Sequence, residues 1–484
     1  MTLGASASEP PAAAAAPEPA IALPDSISKP GAPVVFERAA PDGRWIVLCE
    51  ATLDSDGDGA VKSAISPFGV YSGDQLDRVL SFASGERVAI EDLLATSPDG
   101  AWLVVVRAGR GELWNARTQT QVDLSALGAD LRRDPGQLER HRSLVFDDEH
   151  LFYVRSTQGN AAVVERTLRD GSERVLASAP TIVRIHVDAG GRAIVLEVPG
   201  RDANGNGRFD WPRRPTLERA ACKSPLPRYL SPHIGADPIE HVLIDRKTGV
   251  ARRVDNFAGL QGERLILRAP DGALLVSDGS RQSQLLDKAC LGRVLFSDPF
   301  FDNLLLGCAL PKKQTRFAVG LYRRGVHTAL DIDVAALSQD EPAHAPARLW
   351  PLYPGADTVL FDAQAHTLHR LEPGDLVLST AGAHALVRRG KSAWLFDAQA
   401  KSARELSAVL SQDGELLHNG PLCFASPFLF DVERGRVLGR VEGRPLALAR
   451  SGALLFAQKP ANAAELAEGP LTWQTVAPVE ESAP

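Results

Sequence analysis

Two short segments carry oxygen-bearing side chains at a spacing that suits a metal ion. The first holds Asp54, Asp56 and Asp58, three carboxylates at alternate positions with a glycine behind them. Carboxylates held side by side repel one another unless a cation lies between them. In calcium loops the seventh position ligates by its carbonyl oxygen, which here belongs to Ala60, whereas Ile65 replaces the usual closing acid. We expect a Ca²⁺ site, with a solvated acidic turn as the alternative.

The second segment follows the pattern D-x-[DN]-x-[DN]-G and has an acid at its ninth position. It resembles the short calcium loops of integrin-type propeller blades. The resemblance implies side-chain ligation by Asp202, Asn204 and Asn206. It further implies a carbonyl ligand from Arg208 and a closing carboxylate from Asp210. Ca²⁺ suits such a site better than Mg²⁺, which demands a tight octahedron. The alternative is an Asn-Gly-rich loop with coincidental spacing.

The overall composition argues against several classes of function. The chain has 484 residues, a net charge of −7 and a sequence pI near 5.9, whereas a nucleic-acid surface needs a basic stripe. No apolar run approaches the roughly 18 residues that indicate a membrane span. The motifs G-x-S-x-G, H-E-x-x-H and C-x-x-C do not occur in the sequence. We therefore expect neither nucleic-acid binding nor a membrane span, and no familiar hydrolase motif is present.

The five cysteines are widely spaced. Cys49, Cys308 and Cys423 lie in apolar runs that read as strands, where a thiol behaves as a small core residue. Cys222 and Cys290 lie in predicted loops and would be able to pair in an oxidising compartment.

A strand–turn–strand unit recurs along the chain and must position these segments. Its clearest copy is the turn Ser97–Gly100, of sequence Ser-Pro-Asp-Gly, followed by the β-branched run Trp102–Val106. Proline and aspartate favour the turn, and glycine accepts a positive φ. The copies of this turn and of a second signature, Leu-Phe-Asp, lie at Pro41–Gly43, Pro270–Gly272, Leu360, Leu395 and Leu429. The Leu-Phe-Asp copies are 35 and 34 residues apart, a period that indicates a repeat architecture.

These turns and strands resemble the WD40-like (PD40) repeats of bacterial TolB-type propellers. The resemblance implies an all-β fold, and we predict a single β-propeller of eight blades, with seven as the alternative. Counting every hairpin gives up to ten units, some of which would then share a blade. We assign residues 33–478 to the propeller, with a Pro-rich insertion at 201–238. Residues 1–32, rich in Ala and Pro, and residues 479–484 are predicted to be disordered.

The closure of the ring has two interpretations. Val34–Glu37 would pair with Leu471–Val476 and remove two exposed strand edges, or it would be an ordinary first strand of its own blade.

The function expected from these features is a non-enzymatic, calcium-stabilised scaffold that binds a protein partner. The alternative is a metal-dependent hydrolase or lactonase in the propeller channel, which would need acids or histidines from several inner strands around one ion. A small-ligand sensor stays open as a third interpretation. We favour the bacterial cell envelope or periplasm over the cytoplasm. An Ala/Pro tether such as residues 1–32 is typical of lipoproteins, so a lipid anchor is expected if the N-terminus is processed.

Overall fold

The computed structural model describes residues 34–51, 76–127, 144–157, 160–179, 182, 184–187, 193–200, 239–261, 264–268, 274–277, 282–284, 292–298, 303–310, 313–323, 326–335, 348–352, 358–411, 414–457 and 471–476.

All regular structure in this part of the chain is β-strand. Strands β1 to β20 are Val34–Ala39, Trp45–Ala51, Leu76–Phe82, Arg87–Ile90, Asp92–Thr96, Trp102–Arg107, Arg110–Asn115, Thr120–Asp123, Leu144–Phe146, His150–Thr157, Asn160–Thr167, Glu173–Ala179, Arg184–Val187, Ala193–Pro199, Ile239–Asp245, Ala251–Val254, Phe257–Gln261, Arg264–Arg268, Leu274–Ser277 and Gln282–Gln284. Strands β21 to β38 are Gly292–Asp298, Asn303–Leu310, Lys313–Arg323, Val326–Ala335, Leu349–Leu352, Val359–Asp362, Thr367–Arg370, Leu376–Ala381, His384–Arg389, Ser392–Asp397, Ser402–Val409, Leu416–Asn419, Leu422–Ala425, Phe428–Asp431, Arg436–Arg440, Pro445–Leu448, Leu454–Ala457 and Leu471–Gln474.

Within the described residues these strands form ten antiparallel sheets in chain order. Sheets 1 to 6 are β1–β4, β5–β8, β9–β12, β13–β16, β17–β20 and β21–β24. Sheets 7 to 10 are β25–β27, β28–β31, β32–β35 and β36–β38. Each strand pairs with the next one along the chain, so every sheet is a meander of hairpins.

The Pro-Asp-Gly turns at Pro41–Gly43 and Pro98–Gly100 join strands as expected, for local reasons, whereas the predicted copy at Pro270–Gly272 lies outside the described residues. In sheet 2 the hydroxyl of Ser97 accepts a hydrogen bond from the Trp102 N–H at 2.9 Å, and Asp99 accepts one from the Ala101 N–H at 3.0 Å. Gly100 has φ +73°, a conformation that an L side chain disfavours. The geometry of the turn between β5 and β6 is therefore favoured by hydrogen bonds between residues close in sequence.

The same backbone hydrogen bond occurs within several of the sheets and identifies equivalent strands. The residue after the third strand donates its N–H to the carbonyl before the second strand, as Ala116 does to Ala101 and Ala398 to Ala383. In sheet 7 the same bond joins Ala363 to the carbonyl of Arg348. Strands β25–β27 are therefore equivalent to second, third and fourth strands. In sheet 10, β36 contacts the first strands β32 and β1, so β36–β38 are a first, second and third strand.

The sheets pack face to face around a ring. Apolar clusters join sheets 1 through 5, sheets 6 through 10, and sheet 10 to sheet 1. First strands of neighbouring sheets contact each other, as β9 contacts β5 and β13, and β36 contacts β32 and β1. The first strands therefore surround the axis, and the fold is a β-propeller, which confirms the predicted all-β class. Sheets 1 to 4 and 7 to 10 bury both faces, which explains second strands that are apolar without alternation, such as β2.

The ring has two distinct faces. A four-stranded meander ends at the face at which it began. The next sheet begins close by, since a single residue separates the end of β4 from the start of β5. We call the face at which first strands begin and second strands end the upper face, and the opposite one the lower face.

The ends of the ring meet without sharing a sheet. Strand β1 belongs to the sheet of β2, and β38 belongs to the sheet of β37. The expected pairing of Val34–Glu37 with Leu471–Val476 is wrong, and the alternative of an ordinary first strand is correct. Closure comes instead from apolar packing, with Ile46 and Leu48 of sheet 1 against Leu455 of sheet 10.

The number of sheets is larger than the eight blades expected. Eight of the ten sheets have four strands, and the described parts of sheets 7 and 10 have three. The hairpin count alone does not tell whether two hairpins share a sheet, because strand pairing across a turn and packing across a blade interface look alike in sequence.

Candidate functional site

The two segments predicted to bind calcium occupy the same kind of connection. One joins β2, which ends at Ala51, to β3, which begins at Leu76. The other joins β14, which ends at Pro199, to β15, which begins at Ile239. Each links a second strand to a third strand, so both segments leave and rejoin their sheets at the upper face. The candidate functional site is this face around sheets 1 and 4.

The strands that lead into these segments match in sequence and position. Ile46 begins an Ile-Val-Leu run eight residues before Asp54, and Ile194 begins the same run eight residues before Asp202. Both runs lie in second strands and are buried. This Ile-Val-Leu match is a sequence signal that was missed, although it is visible once the two motifs are aligned.

The predicted ligands themselves lie outside the described residues. These are Asp54, Asp56, Asp58 and Ala60 of the first loop, and Asp202, Asn204, Asn206, Arg208 and Asp210 of the second. Both loops therefore stay predictions, and the structure defines the strands from which they extend.

A histidine–glutamate cluster lies where the second segment leaves sheet 4. His186 Nε2 is 2.8 Å from Glu197 Oε1, and His241 Nε2 is 4.0 Å from the same oxygen. Strand pairing places Glu197 opposite both Arg184 and His241. Both imidazoles pack on Phe257 of sheet 5, with ring centroids 5.4 and 4.8 Å away. The cluster thus anchors the ends of β14 and β15 to the neighbouring sheet.

The charge of Glu197 is stabilised despite its burial. Burial by itself would raise the pKa of Glu197, but the hydrogen bond from His186 and the positive charge of Arg184 outweigh it, so the net pKa lies below its usual range. Glu197 is therefore an anion at neutral pH, and its carboxylate accepts hydrogen bonds from N–H groups. The side chains of His186, Glu197 and His241 were not singled out from the sequence, because only strand register brings them together.

Sheet 1 has its own ionic network at the corresponding end. Arg78 donates to Glu37 at 2.7 Å and to Asp92 of sheet 2 at 2.9 Å. Glu50 is 1 % exposed and pairs through Oε2 with Arg87 at 2.5 Å, while its Oε1 has no hydrogen-bond partner. This network joins β1, β3 and sheet 2 at the upper face.

Three of the described acids at these two places already have partners within the protein. Arg78 binds the inner-strand acids Glu37 and Asp92, and Glu197 is held by His186. Among the residues that the structure describes, no group of three His, Cys, Asp or Glu side chains is arranged to hold a metal ion. The described part of this face can position the two segments, and any calcium ligands would come from the segments themselves.

The cysteines differ in part from expectation. Cys423 is free and fully buried in β33, and burial raises its pKa to about 12, as a core thiol should behave. Cys49 was expected to be a free core thiol, which is wrong, because it is disulfide-bonded. Burial in a strand does not distinguish a free thiol from a bonded one. The predicted pairing of Cys222 with Cys290 involves side chains outside the described part and stays a prediction.

Comparisons with known proteins return low similarity. No protein-family profile matches the sequence, and no curated protein matches it. The acylaminoacyl peptidase of Pyrococcus horikoshii matches with a TM-score of 0.31 at 12% identity, over 77% of this chain and 52% of that one. An oligogalacturonate lyase in complex with manganese matches with a TM-score of 0.32 at 12% identity, over 93% and 98% of the two chains. The β-propeller domain of the Trilobed protease from Pyrococcus furiosus matches with a TM-score of 0.30 at 8% identity, over 78% and 99%.

These matches say nothing about activity. The chain spans about half the length of the acylaminoacyl peptidase chains that it matches. Their identities and scores are too low to transfer a substrate or a site. Separately, the described segments include no helix that is long and apolar enough to cross a membrane.

Proposed function

We propose that this protein is a calcium-stabilised, non-enzymatic β-propeller that binds a protein partner at its upper face. The observation that carries the proposal is the matched pair of second strands, each followed at the same spacing by a calcium-loop pattern. Two such patterns at equivalent places of one ring favour a shared role over coincidence. A propeller supplies the rigid frame on which exposed segments become a recognition surface.

The donor sets fit Ca²⁺ rather than a catalytic transition metal. The two loops offer carboxylate, amide and carbonyl oxygens, which are hard ligands. Bound Ca²⁺ would neutralise the clustered acids and order both segments. The described residues contribute by holding the segment ends, through Glu197 with His186 and through Arg78 with Glu37 and Asp92.

We place the protein in the bacterial envelope, with a lipid anchor if the N-terminus is processed. The disulfide of Cys49 supports this location, because disulfides persist in oxidising compartments and are rare in the cytosol. The Ala/Pro-rich residues 1–32 would serve as the tether.

Calcium-dependent stability tests the proposal. A ligand at 100 times its dissociation constant stabilises the folded state by about 2.7 kcal/mol, so Ca²⁺ should raise the denaturant midpoint of the wild-type protein. Variants Asp54→Asn/Asp58→Asn and Asp202→Asn/Asp210→Asn should each lose part of this gain, and their combination should lose all of it. Asp170→Asn, in an exposed turn of sheet 3, is the matched control and should keep the full gain.

Two outcomes would contradict the proposal. Equal calcium responses in the wild type and the combined variant would remove the two loops as sites. Metal-dependent turnover of lactone or ester substrates by the purified protein would refute the non-enzymatic role.

A further inference from the structure

Asn419 and Gly420 form a chemically reactive pair at the lower face of the ring. Asn419 ends β32, and Gly420 begins the two-residue turn that joins β32 to β33. In an Asn-Gly pair the glycine nitrogen lies close to the asparagine Cγ, and the glycine has no Cβ to hinder its approach. This nitrogen can displace the side-chain amide as ammonia, which is the first step of deamidation.

The amide of Asn419 also holds three sheets together. Its Nδ2 donates to the Pro41 carbonyl of sheet 1 at 2.6 Å and to the Leu448 carbonyl of sheet 10 at 2.8 Å, while Asn419 itself lies in sheet 9. Nδ2 is also the atom that leaves in deamidation. Both hydrogen bonds must therefore break before the amide is lost, so the closed ring protects Asn419.

The turn leaves the attacking group accessible. Gly420 is exposed, has φ +58° and has no atom within 4 Å of the position that a Cβ would take. The tertiary contacts thus restrain the leaving group, and the local structure does not shield the nucleophile. We propose that Asn419 is a deamidation site whose reaction is limited by opening of the ring, and that conversion leaves the ring without this closing contact.

The reaction needs only water and a base. Hydroxide removes the proton of the Gly420 N–H, and the nitrogen attacks Cγ of Asn419. The N–Cγ bond forms and the Cγ–Nδ2 bond breaks, so that Nδ2 takes a proton from water and leaves as ammonia. Water then opens the resulting succinimide at either carbonyl, which gives aspartate or isoaspartate. The net change is the consumption of water and the release of ammonia.

The product cannot restore the contact. A carboxylate has no N–H to donate, and it would face the carbonyl oxygens of Pro41 and Leu448. Isoaspartate also lengthens the backbone at the turn, which disturbs the pairing of Asn419 with Leu422. Refolding does not reverse the loss of the amide, so each converted molecule keeps an open junction between sheets 9, 10 and 1. This inference is independent of the proposed calcium sites.

Peptide mass spectrometry of the full-length chain tests the site. The protein is incubated with EGTA in weakly alkaline water enriched in the heavy oxygen isotope, which labels each newly formed carboxylate. Folded protein should convert Asn419 about 30-fold more slowly than a free peptide of residues 414–424, the factor that corresponds to two net amide–carbonyl hydrogen bonds. Chain unfolded in urea should convert at the peptide rate. The peptide map separates Asn419 from Asn204 and Asn206, which also precede glycines.

Gly420→Ala is the matched control. The new Cβ meets no atom within 4 Å and leaves both hydrogen bonds of Asn419 in place, but it hinders the attacking nitrogen. Conversion at Asn419 should therefore be much slower in this variant. Wild-type protein should accumulate molecules with faster hydrogen exchange in sheets 1 and 10 in step with conversion, whereas Gly420→Ala should not.

Each opposite result would overturn part of the argument. Conversion of the folded protein at the peptide rate would refute protection by the ring. Absence of conversion over about 100 peptide half-lives would refute the site, since two hydrogen bonds do not protect so strongly. Equal hydrogen exchange in converted and unconverted molecules would refute the loss of closure. Equal conversion in Gly420→Ala and the wild type would show that the Gly420 nitrogen is not the nucleophile.

Discussion

The contact that closes the ring at its lower face allows a quantitative test. Asn419 lies at the end of the first strand of sheet 9. Its amide Nδ2 donates to the carbonyl of Pro41 in sheet 1 at 2.6 Å and to the carbonyl of Leu448 in sheet 10 at 2.8 Å. The Pro41 carbonyl also accepts the N–H of Arg450 at 2.8 Å. One side chain thus ties three sheets together across 378 residues of sequence.

The substitution Asn419→Ala removes both donors. Each amide–carbonyl bond contributes about 1 kcal/mol net, with a spread of about 0.5. The Pro41 carbonyl keeps its bond from Arg450, whereas the Leu448 carbonyl loses the bond from this side chain. We expect a loss of about 2 kcal/mol in the free energy of unfolding. Asn419→Asp should cost more, because a carboxylate would face two carbonyl oxygens in place of a donor.

Chemical denaturation at constant calcium measures this loss. The matched control is Asn115→Ala in sheet 2, where Oδ1 accepts the N–H groups of Arg117 and Thr118 at 2.8 and 3.2 Å within one exposed turn. The control should lose less than Asn419→Ala, about 0.5 to 1 kcal/mol. Hydrogen exchange should quicken at sheets 1 and 10 only in the closure variant. A cost for Asn419→Ala below that of the control would refute the argument that this side chain closes the ring.

Two further substitutions have matched controls. Gly100→Ala should be strongly destabilising, because its φ is +73° and the new Cβ would lie 2.7 Å from the Cδ of Pro41. Gly109 has φ +71° but no atom within 4 Å of its Cβ position, so Gly109→Ala should cost only about 1 to 2 kcal/mol for the backbone conformation. Equal losses of unfolding free energy in urea would refute the steric argument. Burial alone would raise the pKa of Asp362, but hydrogen bonds from Arg348 to both carboxylate oxygens and from two backbone N–H groups lower it below the usual range. The stability contributed by this pair is therefore fully present above about pH 4, the unfolded pKa, and is lost as pH falls through the lower folded pKa. Asp362→Asn should cost about 3 kcal/mol at pH 7 and less in acid, while Asp123→Asn, in an exposed pair with a 3.7 Å separation, should stay within about 0.5 kcal/mol; a pH-independent difference for Asp362→Asn would contradict the assignment.

The hairpins were predictable because their turns are local. The hydrogen bonds of Ser97 and Asp99 and the positive φ of Gly100 all lie within six residues, so the turn is favoured by the local sequence itself. The same holds for the Leu-Phe-Asp signature, whose aspartate bonds the N–H groups two and three residues on, as Asp397 does with Gln399 and Ala400. An all-β repeat fold followed from these units.

The candidate site was predictable only in part. The alternating acids of the two loops are a local pattern, and the calcium hypothesis depends on nothing beyond it. The cluster of His186, Glu197 and His241 joins three strands and brings together residues up to 55 positions apart. No sequence pattern marked these side chains as neighbours, since an isolated buried glutamate and two scattered histidines have many other uses.

By itself, the sequence determined the strand–turn–strand units, the all-β class and the places where loop chemistry interrupts the repeat. These depend on backbone preferences and on hydrogen bonds between residues close in the chain. Tertiary structure decided that there are ten sheets in the described residues, that the ring closes through Asn419 and apolar packing, and that the two interrupted blades open on one face. Those outcomes depend on which surfaces pack together after the chain has turned through nearly four hundred residues. That choice is made by shape and burial across the whole ring, which no short stretch of sequence contains.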